Sequence, residues 1–221
     1  MKINDRLKKI GDLVDANSLC LDIGCDHALL DIYLVKEKNQ QKAIASDIAS
    51  GPLEKASENI KKYRVEDKVI TRLGNGLDTY TDDIDTAIAS GMGGRTIIGI
   101  FKNNLKITKK LKQIIVSPNN YQKDVRKFFI SIGFYIEDEE LVKDGKYIYQ
   151  IIKLKKGRKR YSKKEMFFGP VLLTQKNKLF KDYFTRELTS RKIMIDLLPK
   201  NYRLKKYLTK KEITMIEKEL S

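Results

Sequence analysis

The run Leu19-Cys20-Leu21-Asp22-Ile23-Gly24-Cys25-Asp26-His27-Ala28 decides how the rest of the chain is read. Leu19–Ile23 is a short apolar strand. A glycine follows at once, and Ala28–Lys38 then takes helical spacing. Strand, tight turn and helix in immediate succession form the opening unit of a doubly wound α/β sheet, with the turn placed to meet a ligand. The same rhythm repeats downstream. Ala43–Ser46 is a second strand ending on Asp47, and Ser50-Gly51-Pro52 starts a helix with proline where its missing N–H costs little. Val69–Leu73 and Thr86–Ser90 are strands three and four. Ile97–Leu105 is helical, Gln113–Val116 is strand five, and Val125–Ile132 is a helix closed by Gly133. Phe134–Ile136 and Tyr147–Leu154 are two strands with no helix between them, which predicts an antiparallel pair at one edge. The expected fold is α/β, a doubly wound, mostly parallel seven-stranded sheet.

Outside that core the pattern changes. Leu7, Ile10, Leu13 and Val14 predict an N-terminal helix within about residues 1–15, capped by Asn4. Beyond Lys155–Lys164, the residues Leu173, Phe180, Phe184, Leu188, Ile195 and Leu198 form one long apolar stripe stopped by Pro199. Thr209-Lys210-Lys211-Glu212 fits a capping box, with Leu208 and Ile213 as its hydrophobic staple. Two such helices pack as an α-helical hairpin, so the expected domains are 1–158 and 159–221.

Charge follows the same division. Of the net +16, residues 153–221 carry 21 Lys and Arg against 7 Asp and Glu, a balance of +14; residues 1–152 carry 24 against 22. A near-neutral unit followed by a basic one reads either as a catalytic domain with a polyanion grip or as a lysine-rich solvated surface. No apolar segment is long enough for a membrane helix and no signal pattern opens the chain, so a cytoplasmic protein is expected. Two cysteines, Cys20 and Cys25, and one histidine, His27, leave no ligand set for zinc and no Ser-His-Asp triad.

The chemistry lies at the strand ends. The first loop is not Gly-x-Gly-x-x-Gly, since Asp26 and Leu29 occupy the second and third glycine positions. A pyrophosphate would face the charge of Asp26, which disfavours a nicotinamide oxidoreductase. Carboxylates at Asp22 and Asp26 suit a cationic ligand such as S-adenosyl-L-methionine, which carries an ammonium and a sulfonium; Asp26 reads alternatively as a helix N-cap. Asp47 stands where an acid meets ribose hydroxyls in a doubly wound nucleoside site. Gly74-Asn75-Gly76-Leu77 is either the loop beside an adenine, with Asn75 on the base edge, or a plain turn. Ser90-Gly91-Met92-Gly93-Gly94 falls at the switch point of the sheet. It reads as a close approach to a ring, with Met92 against a base, or as a flexible turn. Ser117-Pro118-Asn119-Asn120 either borders the target base or connects two elements. His27 reads as a helix-start residue and Cys25 as a packing residue. The antiparallel ending separates methyltransferase sheets from six-stranded dinucleotide folds. The absence of Asn-Pro-Pro-Tyr tilts the target from an exocyclic amine towards a ring nitrogen, which needs alignment more than activation.

Together, Asp22-Ile23-Gly24-Cys25-Asp26-His27-Ala28, Ser46-Asp47, Gly74-Asn75-Gly76-Leu77 and Gly91-Met92-Gly93-Gly94 resemble the bacterial TrmK family, tRNA methyltransferases acting on N1 of adenine 22. The resemblance covers nearly the whole chain; Cys25 stands where serine is expected in many members. It implies a class I, Rossmann-like methyltransferase using S-adenosyl-L-methionine, releasing S-adenosyl-L-homocysteine, and working on tRNA as a monomer without a metal. Asp22, Gly24, Cys25, Asp47, Asn75, Gly76, Gly91 and Met92 would then hold the cofactor, and Asp26 would be catalytic, nearest the transfer site. His27, Gly93, Gly94 and Asn119 would border the substrate, and Arg158, Arg160, Lys163 and Lys164 would grip RNA backbone. A methyltransferase of ribosomal RNA or of a small molecule, and a non-catalytic nucleotide- or RNA-binding module, are the competing expectations.

Overall fold

A computed structural model describes residues 1, 3–199 and 201–221. Helix α1 (Asp5–Leu13) is followed by β1 (Leu19–Ile23), α2 (Leu29–Glu37), β2 (Lys42–Asp47), α3 (Ser50–Tyr63), β3 (Val69–Leu73), β4 (Thr86–Ser90), α4 (Gly94–Asn103), the short α5 (Leu105–Thr108), β5 (Gln113–Ser117) and α6 (Gln122–Ser131). The antiparallel pair β6 (Phe134–Asp144) and β7 (Tyr147–Lys156) comes next, then α7 (Lys163–Phe168), α8 (Pro170–Gln175), α9 (Lys178–Leu197) and α10 (Arg203–Leu220). The seven strands form one sheet in the order β3-β2-β1-β4-β5-β7-β6. β1 to β5 are mutually parallel, whereas β7 runs antiparallel to β5 and to β6. The strand order reverses between β1 and β4, so the loops after Ile23, Asp47, Leu73, Ser90 and Ser117 gather at one edge of the sheet, around the switch point. No helix among the described residues is long and apolar enough to cross a membrane.

Local sequence explains most of these elements. Asn4 caps α1, its side chain accepting from Leu7 N at 2.8 Å. Helix α2 is apolar nearly all round, and accordingly Leu30–Val35 are all buried. α1 covers it so closely that a Cβ on Gly11 would meet the Tyr33 ring at 2.7 Å, and the Tyr33 hydroxyl donates to Asp12 Oδ1 at 2.9 Å.

Three expectations need correction. β6 does not stop at Ile136 but runs to Asp144. Three of the acids that resemble a polar loop there meet a cation: Glu137 pairs with Lys153 and Lys155, Glu139 with Arg126, and Glu140 with Lys9. Because β5 pairs with β7 only from Val116↔Ile152 down to Gln113↔Lys155, the hairpin outruns β5 and projects past its C-terminal end. Second, the stripe from Leu173 to Leu198 is not one helix. Pro170, which lacks an N–H to continue α7, and Asn177, which caps α9 by accepting from Phe180 N at 3.0 Å, divide it. Third, Thr209 opens nothing: it is buried in the middle of α10, Leu208 is exposed rather than stapled, and Glu212 pairs with Arg191 and Lys123. The capping box lies instead at Ser162 and Glu165, which open α7.

The expected helical hairpin is formed by α9 and α10. Its apolar stripe is buried only near the sheet, at Phe180, Phe184 and Ile216, while Leu197, Leu204, Tyr207 and Leu208 stay exposed. That inner half shares a core with the projecting strands, since Phe167, Phe168, Phe180 and Phe184 pack on Leu141 of β6. An ion pair with no exposed side-chain surface lies beneath. Arg126 Nε donates to Glu139 Oε1 at 2.6 Å, Arg126 Nη2 to Gln150 Oε1 at 2.6 Å, and Val171 N to Glu139 Oε2 at 3.1 Å.

Candidate active site

The β1–α2 loop is pinned to β2 by its backbone: Gly24 N and Cys25 N both donate to Ser46 O, at 2.8 and 3.0 Å. Gly24 (φ 75°), Asp26 (φ 53°) and Ala28 (φ 54°) are all left-handed. Two of the three carry a Cβ, a conformation that costs free energy and is retained where surroundings over-determine it, often at functional sites. Its result is that Ala28, not Asp26, takes the N-cap position of α2, and the Asp26 side chain stands 75% exposed, 3.4 Å from His27 Nε2. The N-cap alternative for Asp26 is therefore excluded. A Cβ on Gly24 would approach Met92 Cε to 2.9 Å, so the loops after β1 and β4 lie against each other.

Between these loops and α1 is a cavity of about 350 Å³, lined by Arg6, Asp22, Gly24, Asp26, His27 and Gly91 among others. Burial pushes the Asp22 carboxyl up to about 7; Asp47 adds its negative charge, and a hydrogen bond from Asp31 opposes the rise. The Arg6 guanidinium lies 4.4 Å from the centre of the Tyr149 ring and beside Gly91. Neither Arg6 nor Tyr149 stands out in the sequence, because α1 and β7 meet only in the fold. Burial also raises the thiols of Cys20 and Cys25 well above their ordinary range, which makes both poor nucleophiles.

A second recess of about 490 Å³ opens beside Asn75, which is exposed at the start of the 3₁₀ turn Gly76–Thr79, and Ile100 of α4. Gly76 is buried against Ile100. Asp47 ends β2, the strand between β1 and β3; its carbonyl accepts from Gly74 N at 2.9 Å and its carboxylate from Ala49 N at 3.0 Å.

The Gly91–Gly94 loop is held by the loop after β5. Gly91 N donates to Ser117 O at 3.2 Å, Asn119 N to Met92 O at 3.0 Å, and Asn119 Nδ2 to Gly91 O at 2.7 Å. Asn120 Oδ1 accepts from Gly94 N at 3.0 Å. Asn119 thus supports the loop containing Gly91, Met92 and Gly93, and Asn120, its neighbour in the Ser117–Asn120 segment, does the same for Gly94. From Asn119 a groove of two adjoining recesses, about 340 and 580 Å³, runs past Tyr147 and Tyr149 of the projecting hairpin to Tyr183, Glu187 and Arg191 of α9. Tyr121 is exposed nearby, with the Arg95 guanidinium 4.5 Å from its ring centre.

The basic cluster is not brought to this site. β7 ends beside the start of β5, so Arg158 and Arg160 leave the sheet at the edge opposite the loops. Lys163 opens α7 and is exposed, and Lys164 pairs with Glu219. Among the described residues no group of three or more His, Cys, Asp or Glu is placed to hold a metal.

Residues 20–218 match the family model TrmK, described as tRNA (adenine(22)-N(1))-methyltransferase. The tRNA (adenine(22)-N(1))-methyltransferase of Bacillus subtilis is 26% identical over 196 residues, covering 85% of this chain and 82% of the relative. A Streptococcus pneumoniae protein solved with S-adenosyl-L-methionine superposes with a TM-score of 0.91 at 26% identity, covering 100% of both chains. The M. capricolum TrmK, solved with S-adenosyl-homocysteine, gives 0.86 at 27% identity, covering 100% of this chain and 98% of its own.

Proposed function

The chain belongs to the TrmK family of tRNA (adenine(22)-N(1))-methyltransferases, and on that premise we propose how its own residues carry out the transfer. It is an S-adenosylmethionine-dependent methyltransferase of tRNA, and the family match displaces ribosomal RNA, small molecules and a non-catalytic module as readings. The observation that carries the assignment of residues is a pair of recesses at the loops after β1 and β3, with buried Asp22 in one, exposed Asn75 in the other, and Asp47 ending the strand between. Asp22 and Gly24, with Cys25 behind them, fit the methionine end of the cofactor; Asp47 fits the ribose, and Asn75 with Gly76 the adenine. Gly91 and Met92 close over the middle.

When bound, S-adenosylmethionine supplies a methyl group on a sulfonium cation, open to direct in-line attack by adenine N1. A ring nitrogen presents its lone pair in the plane of the base, so the protein's task is alignment, which the braced Gly91–Gly94 loop performs with Asn119 behind it. Methylation at N1 leaves the base cationic, and the projecting Asp26 carboxylate stabilises the developing charge, with His27 beside it at the substrate side. The groove from Asn119 to α9 accepts the neighbouring RNA, while Arg158, Arg160, Lys163 and the exposed lysines of α10 contact phosphates farther away. These contacts offset the few kcal/mol needed to unstack the base. We divide the chain functionally into a cofactor-binding part, 1–158, and an RNA-gripping part, 159–221, and place it as a monomer in the cytoplasm.

Methyl transfer from labelled S-adenosylmethionine to an unmodified tRNA transcript, followed by nucleoside analysis, tests this. The expected product is 1-methyladenosine, abolished when adenine 22 is replaced by guanine. Label on another nucleoside, or equal transfer to the replaced transcript, overturns it.

A further inference from the structure

Helix α2 contains one acid in an apolar run, Leu29-Leu30-Asp31-Ile32-Tyr33-Leu34-Val35. Asp31 is wholly buried, and among the described residues no N–H or hydroxyl donor from another residue reaches either of its oxygens. Its one side-chain partner is the carboxyl of Asp22. Two carboxylates in contact, out of water and without a cation between them, cannot both be ionised, so at least one proton resides on the pair. The surrounding groups supply no compensating charge. Asp47 approaches from β2, and the Cys20 and Cys25 thiols lie on β1 and the loop after it. Arg6 of α1, Asp26 and His27 line the cavity, yet none bonds to Asp22 or Asp31 among the described residues.

The two acids are not equivalent. Asp22 lines the cavity, whereas Asp31 stands behind it in the core. Burial raises both, first by desolvation, and Asp31 lacks the cavity edge through which Asp22 can meet a cation. We infer that Asp31 is a positioning residue: held protonated, it donates its O–H to Asp22 and presents Asp22 as a carboxylate to the cofactor's ammonium group, and binding expels a proton from Asp22 to solvent. This rests on the cofactor reading given above. An ammonium beside Asp22 favours its charged form, so the complex holds fewer protons than the free protein, and affinity strengthens as pH rises through the neutral range. Full release of one proton corresponds to about tenfold in Kd per pH unit.

Isothermal titration of the full chain with S-adenosylhomocysteine, which keeps the ammonium but cannot react, tests this in buffers of differing ionisation enthalpy between about pH 6 and 8.5. Proton release that declines towards the alkaline end, with Kd improving in step, is expected. Asp31→Asn keeps a donor and adds no charge, so it should bind within about threefold of the parent and release protons alike. Asp31→Leu keeps the branching at Cγ, is larger, and loses the donor; it should bind about tenfold more weakly near neutrality, with its pH dependence moved to higher pH and an unchanged circular dichroism spectrum. Binding that is flat with pH and exchanges no proton overturns the inference while leaving the cofactor reading intact. So does an Asp31→Asn variant that binds tenfold more tightly, because Asp31 would then have been the charged partner. No binding of S-adenosylhomocysteine by the parent protein overturns the cofactor reading itself, and this inference with it.

Discussion

At Gly94 a methyl group has nowhere to go. A Cβ there would stand 2.4 Å from the Asn120 carbonyl oxygen and 3.0 Å from both Tyr121 Cβ and Val125 Cγ2. Carbon and carbonyl oxygen settle at roughly 3.3–3.6 Å, so about 1 Å must be found by moving main chain. The loops cannot simply part, because Gly94 N is bonded to the Asn120 side chain. Overpacking of this kind costs roughly 1–3 kcal/mol. In a chain of this size that lowers Tm by about 2–4 °C per kcal/mol. The kinetic effect should be larger: displacing the loop proposed to frame the target base by about 1 Å should cost on the order of 100-fold in rate. The cofactor cavity reaches Gly91 but not Gly94. Gly94→Ala is therefore expected to hold its affinity for S-adenosylhomocysteine within about threefold while kcat on tRNA collapses. Single-turnover methylation, with titration calorimetry and thermal melting on the same preparation, measures all three. A variant turning over within twofold of the parent at unchanged Tm would refute the view that this loop is rigidly braced.

Asp26→Asn should slow turnover by about 10- to 100-fold at normal cofactor affinity, since only charge at the exposed tip of the loop is lost; an unchanged kcat would remove Asp26 from the mechanism. Arg126→Met should lower unfolding free energy by about 3–5 kcal/mol in denaturant titration, because Glu139 is left buried without its partner. Adding Glu139→Leu should recover part of that loss, and no recovery would mean that packing rather than charge was removed. Acid stability follows from Asp15 and Glu137. Burial raises both carboxyls, but hydrogen bonds from Lys153 and Lys155 outweigh it and hold them below their ordinary values. The unfolded chain therefore binds more protons as pH falls. Their contribution is present above the ordinary carboxylate range and is lost as pH drops through the lowered values. Asp15→Asn with Glu137→Gln should flatten the acid limb of a Tm-versus-pH curve, and a parallel curve would refute the assignment.

What was legible in the sequence is what short-range chemistry decides. Leu19–Ile23 followed by Gly24 declares its strand and turn without help from the rest of the chain, and Asp47 and Asn75 follow by their places after the next strands. Longer-range partners decide the remainder. Glu137, Glu139 and Glu140 read as loop until Lys153, Arg126 and Lys9 are placed beside them. Thr209-Lys210-Lys211-Glu212 satisfies the spacing of a cap, yet Tyr202 begins the helix earlier, and Thr209 is buried along α10. Arg6 reaches Tyr149 only because α1 crosses the strands of the hairpin. Asp31 is visible in the sequence as an acid among apolar residues; that it faces a second acid is visible only in the fold.

The same distinction bears on the basic tail. Composition separates residues 153–221 from the rest, which suggests an appendage that could be cut away near residue 160. Packing says otherwise. Phe167, Phe168, Phe180 and Phe184 cover Leu141 and Ile148 of the projecting hairpin, and Val171 N supplies one of the hydrogen bonds that satisfy buried Glu139. Removing the tail would expose that apolar face and leave an acid short of a donor, so weakened RNA binding in such a truncation would report misfolding as much as lost charge. The hairpin whose outer face carries the helices also sends Tyr149 to Arg6 at the cofactor cavity and Tyr147 to the groove. Strands β6 and β7 therefore join the helices proposed to hold tRNA to the loop proposed to receive its adenine, and charge on α10 can be altered without disturbing that joint only at exposed lysines such as Lys205, Lys210 and Lys211.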